Sequence, residues 1–244
     1  MRYFVWISFD GTAYHGWQIQ PNGMSVQEKL QQGLTTLLRQ PIEVTGAGRT
    51  DAGVHARRMA AHFDIERELN CEQLTYRLNR ILPRDISCEK VKRVNDEMHA
   101  RFSATKRTYR YFIHTQRNPF ERFFSVEMNW QLDFEQMNQA AAILLETDNF
   151  KAFCKAHADN KTTLCKVTTA RWVQTGPATY YFEISANRFL RNMVRAVVGT
   201  LIDVGRHNIT LQQFSEIVEK GSRSDAGQSM PPHGLFLWDI EYEA

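Results

Sequence analysis

A stretch in the first quarter of the chain, residues 46–55 (GAGRTDAGVH), holds a single acidic residue, Asp51. Its three glycines allow the backbone to adopt positive φ angles or to approach a bulky ligand closely. Arg49, two residues before the carboxylate, can keep Asp51 ionised. The pattern predicts a nucleophile or a base at Asp51, and the alternative is an ordinary surface turn in which the aspartate bonds its own backbone.

A longer match favours the chemical interpretation. Residues 48–56 (GRTDAGVHA) resemble, without interruption, the catalytic motif of the tRNA pseudouridine synthase A family, in which the aspartate is the catalytic residue. Other segments resemble the same family in the same order: 7–18 (ISFDGTAYHGWQ), 100–111 (ARFSATKRTYRY), 189–199 and 234–237. The resemblance covers nearly the whole chain.

The resemblance implies roles for four residues. Asp51 is the catalytic carboxylate, and Arg49 is its ionic partner and fills the space left by a flipped base. Tyr109, the first tyrosine of Tyr-Arg-Tyr, contacts the target base, and Arg195 is a partner of Asp51. The reaction breaks the bond between N1 of the uracil and the ribose and forms a new bond from C5 of the uracil to the ribose. There is no redox change, so no cofactor and no metal are expected. Asp51 can attack C1′ or C6, or deprotonate C2′, and the sequence does not choose among these routes.

The net charge is only +3, but basic residues are concentrated in two segments, one that begins at Arg101 and one that begins at Arg188. Arginines meet phosphates while aromatic rings stack on unpaired bases, and both residue types are interleaved here. The alternative is a pair of solvated faces with ordinary core aromatics. The candidate RNA-binding residues are Arg101, Lys106, Arg107, Arg110, Arg188 and Arg191.

The resemblance also implies a partner and a target. The partner is tRNA, modified at uridines on the 3′ side of the anticodon stem-loop (positions 38, 39 and 40) and bound across a homodimer.

The four cysteines form no Cys-x-x-Cys pair, and there is no signal-like or membrane-spanning apolar run, so a cytoplasmic protein without membrane contact is expected. Cys154-x-x-His157 has ligand-like spacing and Cys165 offers a third ligand, but a fourth zinc ligand at convincing spacing is missing.

Two other functional classes share some of these features. A catalytically inactive tRNA-binding or RNA-chaperone protein could dispense with Asp51 and Arg49, yet both are present. A zinc-dependent deaminase needs a Pro-Cys-x-x-Cys signature, which is absent.

The chain departs from the family at Arg57-Arg58, where a Gly-Gln or similar small polar pair is common, and over residues 153–162, where a serine-rich pattern is usual.

Hydrophobic periodicity predicts the elements that hold these residues. In the first half we expect strands at 2–10 and 86–94, a strand that starts at 41–44 and leads into the Asp51 turn, and another that starts at 59–65 and leads out of it. We also expect a helix opened by the Ser25-x-x-Glu28 capping box and a helix capped by Asn70. In the second half we expect strands at 108–115, 124–130 and 235–242, a hairpin of 162–174 with 179–186, and helices at 133–145, 187–204 and 211–220. Gly205 is the expected C′ residue of the 187–204 helix.

This order of elements predicts an α+β protein with two similar lobes, whose mainly antiparallel sheets meet at a central cleft. The resemblance implies the pseudouridine synthase fold, in which a continuous sheet joins the lobes. The predicted division is an N-terminal lobe, residues 1–108, that carries the Asp51 loop and a C-terminal lobe, residues 109–244.

Overall fold

The computed structural model describes residues 1–155 and 162–243. The chain divides into two compact units. The first unit contains Met1–Thr105 together with the last strand from Phe236 onward, and the second contains Lys106–Leu235.

The first unit is a sheet with two helices. Its strands follow the order β4-β1-β3-β9, with β2 paired to β3, and all pairs are antiparallel except the parallel pair of β3 and β9. Pairing with β3 places the C-terminal strand in this unit. The elements are β1 (Arg2–Phe9), α1 (Val26–Leu38), β2 (Thr45–Gly46), β3 (His55–Asp64), α2 (Cys71–Ile81), β4 (Ile86–Val94) and β9 (Leu235–Tyr242).

Helix α1 begins where the capping signal predicts, since the Ser25 side chain accepts a hydrogen bond from the Glu28 amide. The strand predicted to start at 41–44 forms later and is shorter, as β2 (Thr45–Gly46). Over 41–44, side chains of α1 bond the backbone instead: Thr35 and Gln31 accept from the Ile42 and Val44 amides at 3.1 and 3.0 Å. These two amides are therefore unavailable to a neighbouring strand.

The second unit is also a sheet with helices. Strands β5, β8 and β7 are antiparallel neighbours, and the two-residue β6 runs parallel to the end of β5. The strand predicted at 124–130 is therefore reduced to Val126–Glu127. The elements are β5 (Ala104–His114), β6 (Val126–Glu127), α3 (Phe134–Ile143), β7 (Val167–Gly176), β8 (Thr179–Ala186), α4 (Met193–Gly205) and α5 (Leu211–Lys220).

The helix predicted at 187–204 starts later, at Met193. The Asn187 backbone and side chain are bonded to Lys166, and Asn192 adopts a left-handed conformation at φ 67°. Gly205 is the last residue of α4 and not its C′ residue, because Arg206 caps the helix. A Cβ at Gly205 would overlap the sulfur of Met137 on α3, so close packing of the two helices favours a small residue here.

Both units combine helices with mainly antiparallel strands, which confirms the predicted α+β class. Among the described residues, no helix has the length and apolar character needed to cross a bilayer.

Candidate active site

Asp51 lies on the loop that connects β2 to β3, as the sequence predicts. The Ala47 amide donates to the Ala60 carbonyl at 2.8 Å where the loop leaves the sheet. The Val54 amide donates to the Asp51 carbonyl at 3.2 Å, and Gly53 has a φ of 77°. This turn leaves the Asp51 carboxylate half-buried. The sheet thus fixes the main chain around Asp51, while the carboxylate stays partly accessible.

A second loop, residues 10–25, supports the first. The Gly53 amide donates to the Tyr14 carbonyl at 3.3 Å, and the Trp17 amide donates to the Thr50 carbonyl at 3.4 Å. A Cβ at Gly11 would overlap the Val54 carbonyl. The side chains of Tyr14 and Trp17 are buried, which fixes this loop to the unit. The sequence shows that this segment resembles the family, but it does not predict that the segment supports the Asp51 loop.

Tyr14 is anchored by a carboxylate. Its hydroxyl donates to Asp85 at 2.7 Å, and burial followed by that hydrogen bond raises the pKa of Tyr14 well above its ordinary value. The phenol therefore stays protonated and acts as a fixed donor.

His55, the last residue of the 46–55 stretch, is fully buried. Its Nδ1 accepts a hydrogen bond from the Gly11 amide at 3.0 Å and lies 3.1 Å from an Asp10 carboxylate oxygen. A nitrogen that accepts from Gly11 has no proton to give to Asp10. The ring also stacks on Phe236 at 4.6 Å. His55 thus fastens the start of β3 to the supporting loop.

The residues next to Asp51 differ in exposure. Arg49 is exposed, and its pairing with Asp51 remains a prediction. The Thr50 hydroxyl is buried and has no hydrogen-bond partner in the part of the chain that the structure describes.

Tyr109 lies on β5 in the second unit, opposite Ile184 of β8. Its half-buried ring meets Phe189 edge to face, with ring centres 5.0 Å apart and planes at 82°. Tyr111, two residues further along, is fully buried, and its hydroxyl donates to the Pro231 carbonyl at 2.8 Å. The two tyrosines of Tyr-Arg-Tyr therefore differ: the first presents part of its ring, and the second belongs to the core.

Arg195 lies in the first turn of α4 and is half-buried. Its Nε donates to the Met230 carbonyl at 2.6 Å, and the Met230 amide donates to the Arg195 carbonyl at 3.1 Å. Arg195 and Tyr111 bond to the adjacent carbonyls of Met230 and Pro231. Arg195 therefore lies near the face of β5 that bears Tyr111 and, two residues away, Tyr109.

The structure separates the candidate RNA-binding residues. Side chains alternate along β5, so Arg107 lies on the Tyr109 face whereas Lys106 and Arg110 lie on the other. Arg107 donates to the Asn187 carbonyl at 2.8 Å, and Arg110 is ion-paired with Glu183 at 2.7 Å. The other candidates lie outside that strand: Arg101 in the first unit, and Arg188 and Arg191 between β8 and α4.

Only one residue of the Cys154-x-x-His157 pair lies in the described part of the chain. Cys154 is half-buried in the second unit, whereas His157 lies outside the described residues.

Comparison with known proteins assigns the family. A family model described as tRNA pseudouridine synthase matches residues 5–103 and 140–243. The tRNA pseudouridine synthase A of Bacteroides fragilis is 52% identical over 242 residues, covering 99% of this chain and 96% of the relative. The protein of the same name from Bacillus subtilis is 36% identical over 247 residues, covering all of both chains. The chain therefore belongs to the tRNA pseudouridine synthase A family, whose members are isomerases that convert uridine to pseudouridine in tRNA.

Proposed function

We propose that this protein isomerises uridine to pseudouridine in the anticodon stem-loop of tRNA, with Asp51 as its catalytic carboxylate. The observation that carries the assignment is the Asp51 loop. Glycine contacts and backbone hydrogen bonds hold its main chain in place, while the carboxylate stays partly accessible. A nucleophile held in advance by its backbone avoids an ordering cost when substrate binds.

Asp51 acts on the sugar or on the base of one uridine. Attack at C1′ or at C6, or removal of the C2′ proton, each frees the N1–C1′ bond so that the uracil can turn and rejoin through C5. The C5 proton is then lost and N1 gains one, so the overall change is an isomerisation. All three routes need an ionised Asp51.

Three side chains complete the proposed machinery. The ring of Tyr109 stacks on the target uracil, and its hydroxyl relays the proton lost from C5. Arg49 occupies the position that the flipped base leaves, and Arg195 pairs with Asp51. The support for Arg195 is its fixed place on α4, where the Met230 carbonyl holds its Nε.

Phosphates of the tRNA are bound by Arg101, Lys106, Arg107, Arg110, Arg188 and Arg191 in this proposal. The protein acts in the cytoplasm and, as the resemblance implies, as a homodimer. Equilibrium sedimentation of the purified chain tests the dimer directly.

The decisive experiment incubates the purified protein with an unmodified tRNA transcript and maps pseudouridine with carbodiimide. We expect modification on the 3′ side of the anticodon stem-loop. Asp51→Asn keeps the shape of the side chain but removes the ionised group, so the rate should fall by at least about a hundredfold while tRNA affinity stays within about threefold.

The matched control is Glu43→Gln, which makes the same carboxylate-to-amide change at an exposed position of the same unit. Its rate should equal that of the wild type. Wild-type turnover by Asp51→Asn would refute the catalytic assignment. Tight tRNA binding without any pseudouridine from the wild type would favour the inactive RNA-binding alternative.

A further inference from the structure

An open groove on the first unit contains the adjacent arginines Arg57 and Arg58. Its volume is about 550 Å³, within the range of roughly 300–1,000 Å³ typical of small-ligand sites. No described residue of the 47–54 loop lines it. Side chains from four strands do: Ser8, Arg57, Arg58, Glu89, Trp238 and Asp239.

Two irregularities in strand pairing shape this groove. In the β1–β3 pair, Ile7 faces Met59 and Phe9 faces Ala56, so both arginines oppose the single residue Ser8. In the β1–β4 pair, the register shifts between Trp6 and Ile7 and leaves Glu89 as the extra residue. A regular strand would direct Arg57 and Arg58 to opposite faces, whereas a β-bulge re-aims side chains, so both arginines line one groove.

Arg58, one of the two arginines, is already ion-paired within the groove. Arg58 contacts both Glu89 oxygens through Nε and Nη2, at 3.0 and 3.3 Å, and reaches Asp239 through Nη1 at 3.3 Å. Glu89 also lies 3.7 Å from the Lys90 ammonium. Both carboxylates of the groove are therefore already paired with cations.

Arg57 has a different environment. It is exposed, and within residues 1–155 and 162–243 its guanidinium has no ion pair or hydrogen bond. Its charge is thus available to an incoming anion, beside the hydroxyl of Ser8 and the half-buried indole of Trp238.

We propose that Arg57 binds a backbone phosphate of the tRNA outside the nucleotide that is modified. A guanidinium matches the geometry of a phosphate, and the Ser8 hydroxyl supplies a second donor. The Trp238 ring packs against the sugar or base attached to that phosphate. Arg58, held by Glu89 and Asp239, positions the bulge without binding the phosphate itself. This inference rests on the proposed function, since the ligand is the same tRNA.

The test measures tRNA affinity from low to moderate salt for the wild type, Arg57→Ala, Arg57→Lys and Arg77→Ala. Each phosphate contact releases counterions, so Arg57→Ala should flatten the slope of log K against log salt by about 0.7–0.9. Arg57→Lys keeps the charge and should keep the slope. Arg77→Ala removes an equal charge from an exposed position on α2 and should behave as the wild type.

Each outcome has a distinct meaning. A slope for Arg57→Ala equal to that of Arg77→Ala overturns the phosphate site. A change in molecular mass with Arg57→Ala, measured by sedimentation, also overturns it and assigns the groove to a contact between copies of the chain. Binding does not require turnover, so a wild type that forms no pseudouridine but shows the slope change refutes the proposed function and leaves the phosphate site standing.

Discussion

A side chain at Gly16 would overlap the carbonyl oxygen of Thr50, the residue that precedes Asp51. Gly16 also has a φ of 87°, which L-residues with a Cβ rarely adopt. The next amide along, that of Trp17, donates to the same Thr50 carbonyl. The 10–25 loop and the Asp51 loop are therefore in backbone contact at a point where only glycine fits.

Gly16→Ala should disturb the Asp51 loop. The left-handed backbone alone costs about 1–2 kcal/mol with a Cβ, and the overlap with Thr50 adds to that cost. We expect a lower melting temperature and a fall in the rate of pseudouridine formation.

Gly48→Ala is the matched control, because a Cβ at Gly48 would meet nothing within 4 Å and its φ is not positive. Its melting temperature should stay close to that of the wild type. Equal melting temperatures for the two variants would show that the contact of Gly16 with Thr50 does not constrain the loop.

Tyr109→Phe should separate the ring from the hydroxyl. The phenyl ring keeps the edge-to-face contact with Phe189, so tRNA affinity should remain at the wild-type level. Turnover should fall about tenfold or more, because the proposed proton relay is lost. Tyr109→Leu should in addition lose base stacking, worth about 1–3 kcal/mol of binding. Single-turnover rates and binding constants check both, and wild-type turnover by Tyr109→Phe would remove the hydroxyl from the mechanism.

Arg110→Ala should destabilise the second unit more than Arg171→Ala. Both arginines bond Glu183, whose side chain is only 9% exposed, but Arg110 is 23% exposed and Arg171 is 61% exposed. Burial favours a raised pKa for Glu183, yet the hydrogen bonds from Arg171 and Arg110 outweigh it and hold the pKa below its ordinary value. Losing the more buried partner should cost about 2–3 kcal/mol, and losing the exposed one about 1 kcal/mol or less. Urea unfolding of the two variants measures this, and equal losses would contradict it.

Stability should fall as the pH drops from about 6.5 to about 4, because His62 is neutral in the fold. Burial, followed by the positive charges of Arg2 and His99, lowers the pKa of His62 to about 4 despite the opposing charge of Asp64. The unfolded chain binds a proton on His62 near pH 6.5 and the folded chain does not, so protonation favours unfolding. The effect is on the order of 2–3 kcal/mol across that range.

The His62 signals in an NMR titration should shift only near pH 4. In His62→Asn the amide oxygen can still accept the hydrogen bond that Nδ1 takes from the Ala100 amide, while no group titrates at that position. The unfolding free energy of this variant should depend less on pH between 4 and 6.5. An ordinary pKa for His62 would refute the assignment.

Local patterns were enough to predict several features of this protein. Alternation predicted β1, the capping residues Ser25 and Asn70 marked the starts of α1 and α2, and the contiguous 48–56 motif identified the family. These signals depend on neighbouring residues along the chain, so one sequence is enough to detect them.

Features that depend on distant residues were not predictable. Side chains of α1 bond the backbone where a strand was expected to start at 41–44, and Met137 on α3 packs against Gly205 at the end of α4. Likewise, the register of β1 against β3 decided that Arg57 and Arg58 line one groove. The sequence alone determined the family and the carboxylate of the catalytic motif. The tertiary structure decided what supports the Asp51 loop and that Arg57 and Arg58 line one groove, because hydrogen-bond partners and strand register are settled between segments that are far apart in the chain.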